Sequence, residues 1–168
     1  LVHFFNYYEN DVGRFYPNES LISGKLVVKQ AITFENRRLD IAKAIVKGIA
    51  KNIRTILYHY YRHGTKELKG VLDFYNKEVE VLLEKANDIK QVLAVEGKIW
   101  ANFYMTFKYF LPSDFVINKR VKRPPDNPMN ALISFGNTLL YTKTITEIYH
   151  THLDQSISFL HEPSEARF

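Results

Sequence analysis

The chain has 168 residues, with 23 Lys plus Arg against 18 Asp plus Glu, six His and no Cys, for a net charge of +5 and a pI near 9.3. That length suits one domain with a real core. The missing cysteines exclude a disulfide framework and a thiolate zinc site and favour an intracellular protein, and no apolar run approaches the ~20 residues of a membrane span. The positive charge permits a polyanionic partner without demanding one. Eleven Tyr and 12 Phe are many for this length and serve either as core or as stacking platforms.

The chain opens at Leu1 on the strand-like LVHFF and reads as a piece of a longer protein with no signal peptide in view. The next segment, ENDVGRFYPNESLISG, contains Gly13, Pro17 and Gly24 and reads as a loop leading to a helix start near Glu19. Over residues 36–63, Ile41, Ile45, Ile49, Ile53 and Leu57, with Ala42, Val46, Ala50 and Ile56, repeat at helical spacing, and Gly64 supplies the stop. A second stripe runs through Leu68, Leu72, Tyr75, Val79, Leu82 and Ala86. Asp88 is placed to cap a helix over 89–111 that Pro112 ends. Residues 113–128 hold Lys119, Arg120, Lys122 and Arg123, then Pro124, Pro125 and Pro128, and form the one obvious loop. A last long helix over 127–152 precedes an irregular tail. The pattern predicts a mainly α fold of four or five helices with at most a short strand at the start. A strand-like start and a loop over 1–16 precede the helical part over 17–168.

Three features carry possible chemistry. In LAVEGKIW, Glu96 has Val92, Leu93, Ile99 and Trp100 three and four residues away, so its carboxylate sits among apolar side chains and needs a cation, a metal or hydrogen bonds. The ordinary alternative is a structural ion pair with Arg or Lys. In SFLHEPSEARF, His161 follows the apolar Phe159 and Leu160, although a lone His is more often structural or solvated than a ligand. His59 and His63 share a helix face but lack a carboxylate motif such as HExxH, and read as surface or core. The third feature, NKRVKRPPDNP, packs four cations into five residues of a proline-stiffened loop, suited either to a phosphate backbone or to plain solvation. No phosphate-binding Gly-rich loop, GxSxG elbow or Cys–His pair is present.

Read together, HFFNYYENDVGRFYPNE, VEGKIWANFY, KRPPDNPMNALISFGNTLLYT and FLHEPSEARF resemble the CRISPR-associated protein one family, the spacer-acquisition integrases, over essentially the whole chain. The resemblance implies the helical C-terminal lobe of such an integrase. It also implies a site for Mn or Mg that takes Glu96 from the E-G helix and His161 from the F-L-H turn. A carboxylate and a neutral imidazole suit those cations, with the imidazole tilting preference toward Mn, and protonation of His161 is expected to weaken binding. The family's third ligand is an aspartate shortly after an R-F pair, here Arg167-Phe168 where the sequence stops, so the site is expected to be incomplete as given. Trp100 and Ala101 depart from the more polar residues expected after the E-G pair.

The activity implied by the resemblance is that of a prokaryotic, cytoplasmic enzyme that joins the 3′-hydroxyl of captured DNA to a repeat boundary by phosphoryl transfer, or cuts DNA with water as nucleophile. Its implied partners are double-stranded and branched DNA, CRISPR-associated protein two and a second copy of itself, with no membrane. Lys119, Arg120, Lys122 and Arg123 are candidate phosphate contacts, Asn130 a candidate DNA contact or support for the ligands, and Arg167 a candidate partner of the aspartate or of a phosphate. The rival reading is a non-catalytic DNA-binding or assembly fragment.

Overall fold

The computed structural model describes residues 2–6, 11–15, 22–117 and 119–162. It begins with a two-stranded antiparallel hairpin, β1 (Val2–Phe5) and β2 (Asp11–Phe15), in the register Val2↔Phe15, His3↔Arg14 and Phe4↔Gly13, with an irregularity at Phe4/Phe5. The second strand replaces the loop expected over those residues. Gly13 within it removes a side chain from the period-two pattern, which hides the strand from a sequence reading. The expected helix start near Glu19 and the proposed boundary at residues 16 and 17 lie outside the described residues.

Helix α1 (Gly24–Arg62) is longer than the expected 36–63 span and ends where predicted, with Gly64 at φ +117°, a conformation that favours glycine. Its buried line is Ala42, Val46, Ala50, Ile53 and Leu57, and Ile45 and Ile56 are exposed. The packed face is therefore rotated from the isoleucine stripe onto two alanines, whose small side chains let neighbouring helices lie close to the backbone. The second stripe forms a broken helix rather than a continuous one. A 3₁₀ turn (Lys66–Leu68) leads into α2 (Lys69–Asp73), a π-type turn (Phe74–Glu78) and α3 (Val79–Lys85). The wide turn contains Tyr75, whose buried hydroxyl donates to the Ile99 carbonyl at 2.6 Å. Leu83 takes the fully packed place expected of Leu82.

Helix α4 (Ile89–Met105) begins as predicted, with Asp88 accepting from the Gln91 amide at 2.8 Å, but stops short of Leu111. Thr106, fully buried, bonds back to the Phe103 carbonyl at 2.6 Å, and a 3₁₀ turn (Phe107–Tyr109) folds Phe107 edge-on against Phe103 and Tyr104. The loop after it contains a short 3₁₀ turn (Ser113–Phe115). Asn127 then caps α5 (Pro128–Tyr149) through its side chain, with proline at the first helical position as its missing N–H allows. One hydrophobic cluster draws Ala42 to Leu57 of α1, Leu68 to Ala86, Val92, Val95 and Ile99 of α4, and Leu160 from the tail. Thus α1 and α4 form the frame, and the tail closes onto it.

Candidate metal and nucleic-acid site

On α4, Glu96 lies half-buried between the packed residues Val92, Val95 and Ile99. Its partner is the indole of Trp100 one turn on, whose Nε1–H donates to Oε1 at 3.1 Å. No Lys or Arg among the described residues forms an ion pair with Glu96, so the ordinary structural pair is not what occupies this carboxylate there. Trp100 is one of the two residues that depart from the family pattern, and the N–H it supplies to the carboxylate is neutral. The ridge continues through Tyr104, whose ring stacks on Trp100 at 5.7 Å between centroids. Burial pushes the Tyr104 hydroxyl pKa above its ordinary value, the neighbouring Arg120 charge opposes the rise, and Glu96 adds to it. Tyr104 therefore feels both the Glu96 carboxylate and the Arg120 guanidinium.

His161 lies in the irregular tail after α5. Leu160 is buried in the apolar cluster, and His161, the residue after it, is exposed. The turn is gripped by Arg38 of α1, which donates to the carbonyls of Phe159 (3.1 Å) and His161 (3.2 Å) and to both carboxylate oxygens of Glu162 (3.1 and 2.9 Å). Glu162 is thereby paired with Arg38, and Glu165 and Arg167 lie outside the described residues. A carboxylate and an imidazole are donor types that suit Mn or Mg. Among the described residues no three His, Cys, Asp or Glu gather into a metal-binding group. His59 and His63 are exposed, with rings 4.2 Å apart and His63 Nδ1 bonded to the His59 carbonyl.

The basic loop splits into two kinds of cation. Lys119, Lys122 and Arg123 are exposed. Arg120 is turned inward, donating to Val121 O (2.6 Å), to Asn130 O and Oδ1 (3.2 and 3.0 Å) and to Ser134 Oγ (2.7 Å). Asn130 has no exposed surface to offer DNA. Its Oδ1 also accepts from the Val121 amide, and its Nδ2 donates to Lys119 O (3.2 Å) and Asp126 Oδ1 (2.6 Å). Every hydrogen-bonding site of this amide is used, so it fixes the loop on the first turn of α5. Arg38 is the residue that sequence reasoning misses. On a long helix its charge reads as a solvated face, and only the return of a tail 121 residues later reveals its partners.

The family model for CRISPR associated protein Cas1 matches residues 1–168. The chain belongs to the Cas1 family. It is 44% identical over 170 residues to CRISPR-associated protein Cas1 1 of Methanobrevibacter ruminantium, covering 99% of this chain and 49% of that relative. It is 41% identical to CRISPR-associated endonuclease Cas1 of Methanothermobacter thermautotrophicus, covering 99% and 48%. The solved structure of a Cas1 protein from Thermotoga maritima superposes with a TM-score of 0.82 at 38% identity, covering 99% of this chain and 52% of that one. The chain thus spans about half the length of the curated Cas1 relatives it matches. The mainly α fold expected from the sequence is the one the Cas1 structure shares. Among the described residues no helix is long and apolar enough to cross a membrane.

Proposed function

We propose that this Cas1 chain is the helical catalytic part of a metal-dependent DNA integrase and endonuclease of CRISPR adaptation, with Glu96 and His161 as ligands of Mn or Mg. The observation that carries the reading is the Glu96 carboxylate, half-buried and held by the neutral Trp100 N–H, with no ion pair among the described residues. A cation held by Glu96 and His161 would supply Lewis-acid stabilisation of negative charge on the phosphoryl oxygens. The chain's own contribution is positional. Trp100 fixes one carboxylate oxygen, Leu160 anchors the His161 turn, and the exposed Lys119, Lys122 and Arg123 meet DNA phosphates while Arg120 and Asn130 hold their loop. CRISPR-associated protein two, branched DNA and a second copy of the chain are the partners proposed for the whole protein, in a prokaryotic cytoplasm.

The second reading, a DNA-binding or assembly fragment without catalysis, draws on the lack of a three-ligand group among the described residues. The two part company in a strand-transfer assay on the full-length protein. Glu96→Ala is expected to abolish Mn-dependent joining while leaving DNA affinity within about twofold, and retained joining would sink the catalytic reading. Replacing Lys119, Lys122 and Arg123 with Ala is expected to weaken DNA binding and flatten its salt dependence by about 0.9 for each phosphate no longer neutralised, whereas an unchanged slope returns the loop to plain solvation.

A further inference from the structure

The tail that carries His161 is tied to α1 by a ladder at helical spacing. Gln30 exchanges two bonds with the backbone of Asp154, its Nε2 donating to the carbonyl at 3.1 Å and its Oε1 accepting from the amide at 2.8 Å. One turn on, the Phe34 ring meets Phe159 at 6.1 Å between centroids. One turn further, Arg38 lies over Phe34 at 4.6 Å and reaches Phe159 O, His161 O and the Glu162 carboxylate. Residues 30, 34 and 38 share one face of a helix, so a single rigid edge holds the tail at 154, 159 and 161–162.

We infer that this edge is what presents the imidazole, with Arg38 as the positioning residue for His161 and Glu162 as the counter-ion that orients Arg38 rather than a metal ligand. The inference rests on the reading of His161 as a ligand and adds to it the device that sets its place. Three features support the assignment. Arg38 binds the carbonyl of His161 itself, so the guanidinium fixes the backbone from which the ring projects. Its side chain is only 16% exposed whereas that of Glu162 is 73% exposed, so the cation is built into the fold and the carboxylate docks on it from outside. The planar fork spans two carbonyls and a bidentate carboxylate at once, a geometry that a lysine ammonium cannot reproduce.

Because the defining feature is the fork and not the charge, the decisive variant is Arg38→Lys in the full-length protein, read by two independent signals. In the ¹⁵N-histidine-labelled protein the order parameter of the His161 amide is expected to fall from the rigid range near 0.85 to below about 0.6. Mn affinity by calorimetry is expected to fall about 10- to 100-fold, as for loss of a group that orients a ligand, with the thermal midpoint nearly unchanged. Glu162→Gln keeps an acceptor and both backbone bonds, and is expected to hold Mn affinity within about threefold of wild type. An Arg38→Lys protein with an unchanged His161 order parameter overturns the inference, as does a larger affinity loss for Glu162→Gln than for Arg38→Lys. If Glu96→Ala binds Mn like wild type, the proposed metal site fails instead, and the order parameter alone then decides the role of Arg38.

Discussion

Helices α1 to α4 and helix α5 are held in opposite ways. The first group shares a continuous apolar cluster in which Val46, Leu57, Leu68, Val92 and Ile99 have no exposed surface. In α5 only Asn130 and Ile145 are buried, and Leu132, Phe135, Leu139, Leu140 and Tyr141 are exposed. Its firm attachment is polar, the Asn130 amide and the Arg120 guanidinium at the first turn. Glu96 belongs to the apolar half, where non-directional packing sets a rigid frame, whereas the His161 turn is packed through Leu160 and held to α1 by the directional bonds of Arg38. The proposed DNA loop belongs to the polar half, where a few directional bonds fix a segment whose exposed cations face solvent. Removing atoms from the first half should lower global stability, and removing one group from the second should free a loop.

The largest expected effect is that of Leu57→Ala, about 3 kcal/mol of unfolding free energy from reduced burial and a residual cavity, read from urea melts. A change below about 1 kcal/mol would mean that the frame repacks and that the contrast between the halves is overstated. Next is Asn130→Ala, which strands the Arg120, Val121 and Asp126 partners at a cost of about 2 kcal/mol. It should also speed tryptic cutting after Lys122 well beyond any change seen in Leu57→Ala at matched stability. Equal cutting in the two variants would erase the distinction.

A smaller effect is set by pH. Burial pushes the Tyr75 hydroxyl well above its ordinary value near 10, so in the folded chain it keeps a proton that the unfolded chain sheds. Above pH of about 10 the native state then binds more protons than the unfolded one, and stability falls as pH rises. Tyr75→Phe loses the bond to Ile99 O at neutral pH but should show a shallower alkaline decline in urea midpoint. An identical slope would place the alkaline sensitivity elsewhere, as in Tyr104 or Tyr141, which burial also raises. The smallest effect belongs to Leu140→Ser on the exposed face of α5, expected within about 0.5 kcal/mol. A destabilisation several times larger in the full-length protein would show that another surface covers this face.

The contrast also explains what is legible in the sequence. Periodic apolar spacing, the Asp88 cap and the Gly64 stop locate the frame because each acts within a few residues of chain, whereas Pro112 misplaces the end of α4, which the buried Thr106 closes at Met105. The same local reading misses β2, where Gly13 breaks the alternation. It runs the second stripe straight through the wide turn at Tyr75, whose hydroxyl is satisfied by a distant carbonyl. At the site, Glu96 is visible as a carboxylate in an apolar run, but its indole partner stands out only as a departure from the family pattern. Arg120 looks like one of four equivalent cations, and only the fold distinguishes it as the inward one. Arg38 and Gln30 are invisible for a related reason. Their partners lie more than 120 residues away, and nothing local marks a charged or polar helix position that a returning tail will use.

The central claim, that α4 and the tail bring Glu96 and His161 to one divalent cation, is tested most directly by Mn calorimetry on the full-length protein beside its Glu96→Ala and His161→Ala variants. One strong site is expected in the wild type, weakened at least about tenfold by each substitution. Undiminished binding in either variant would contradict the shared site.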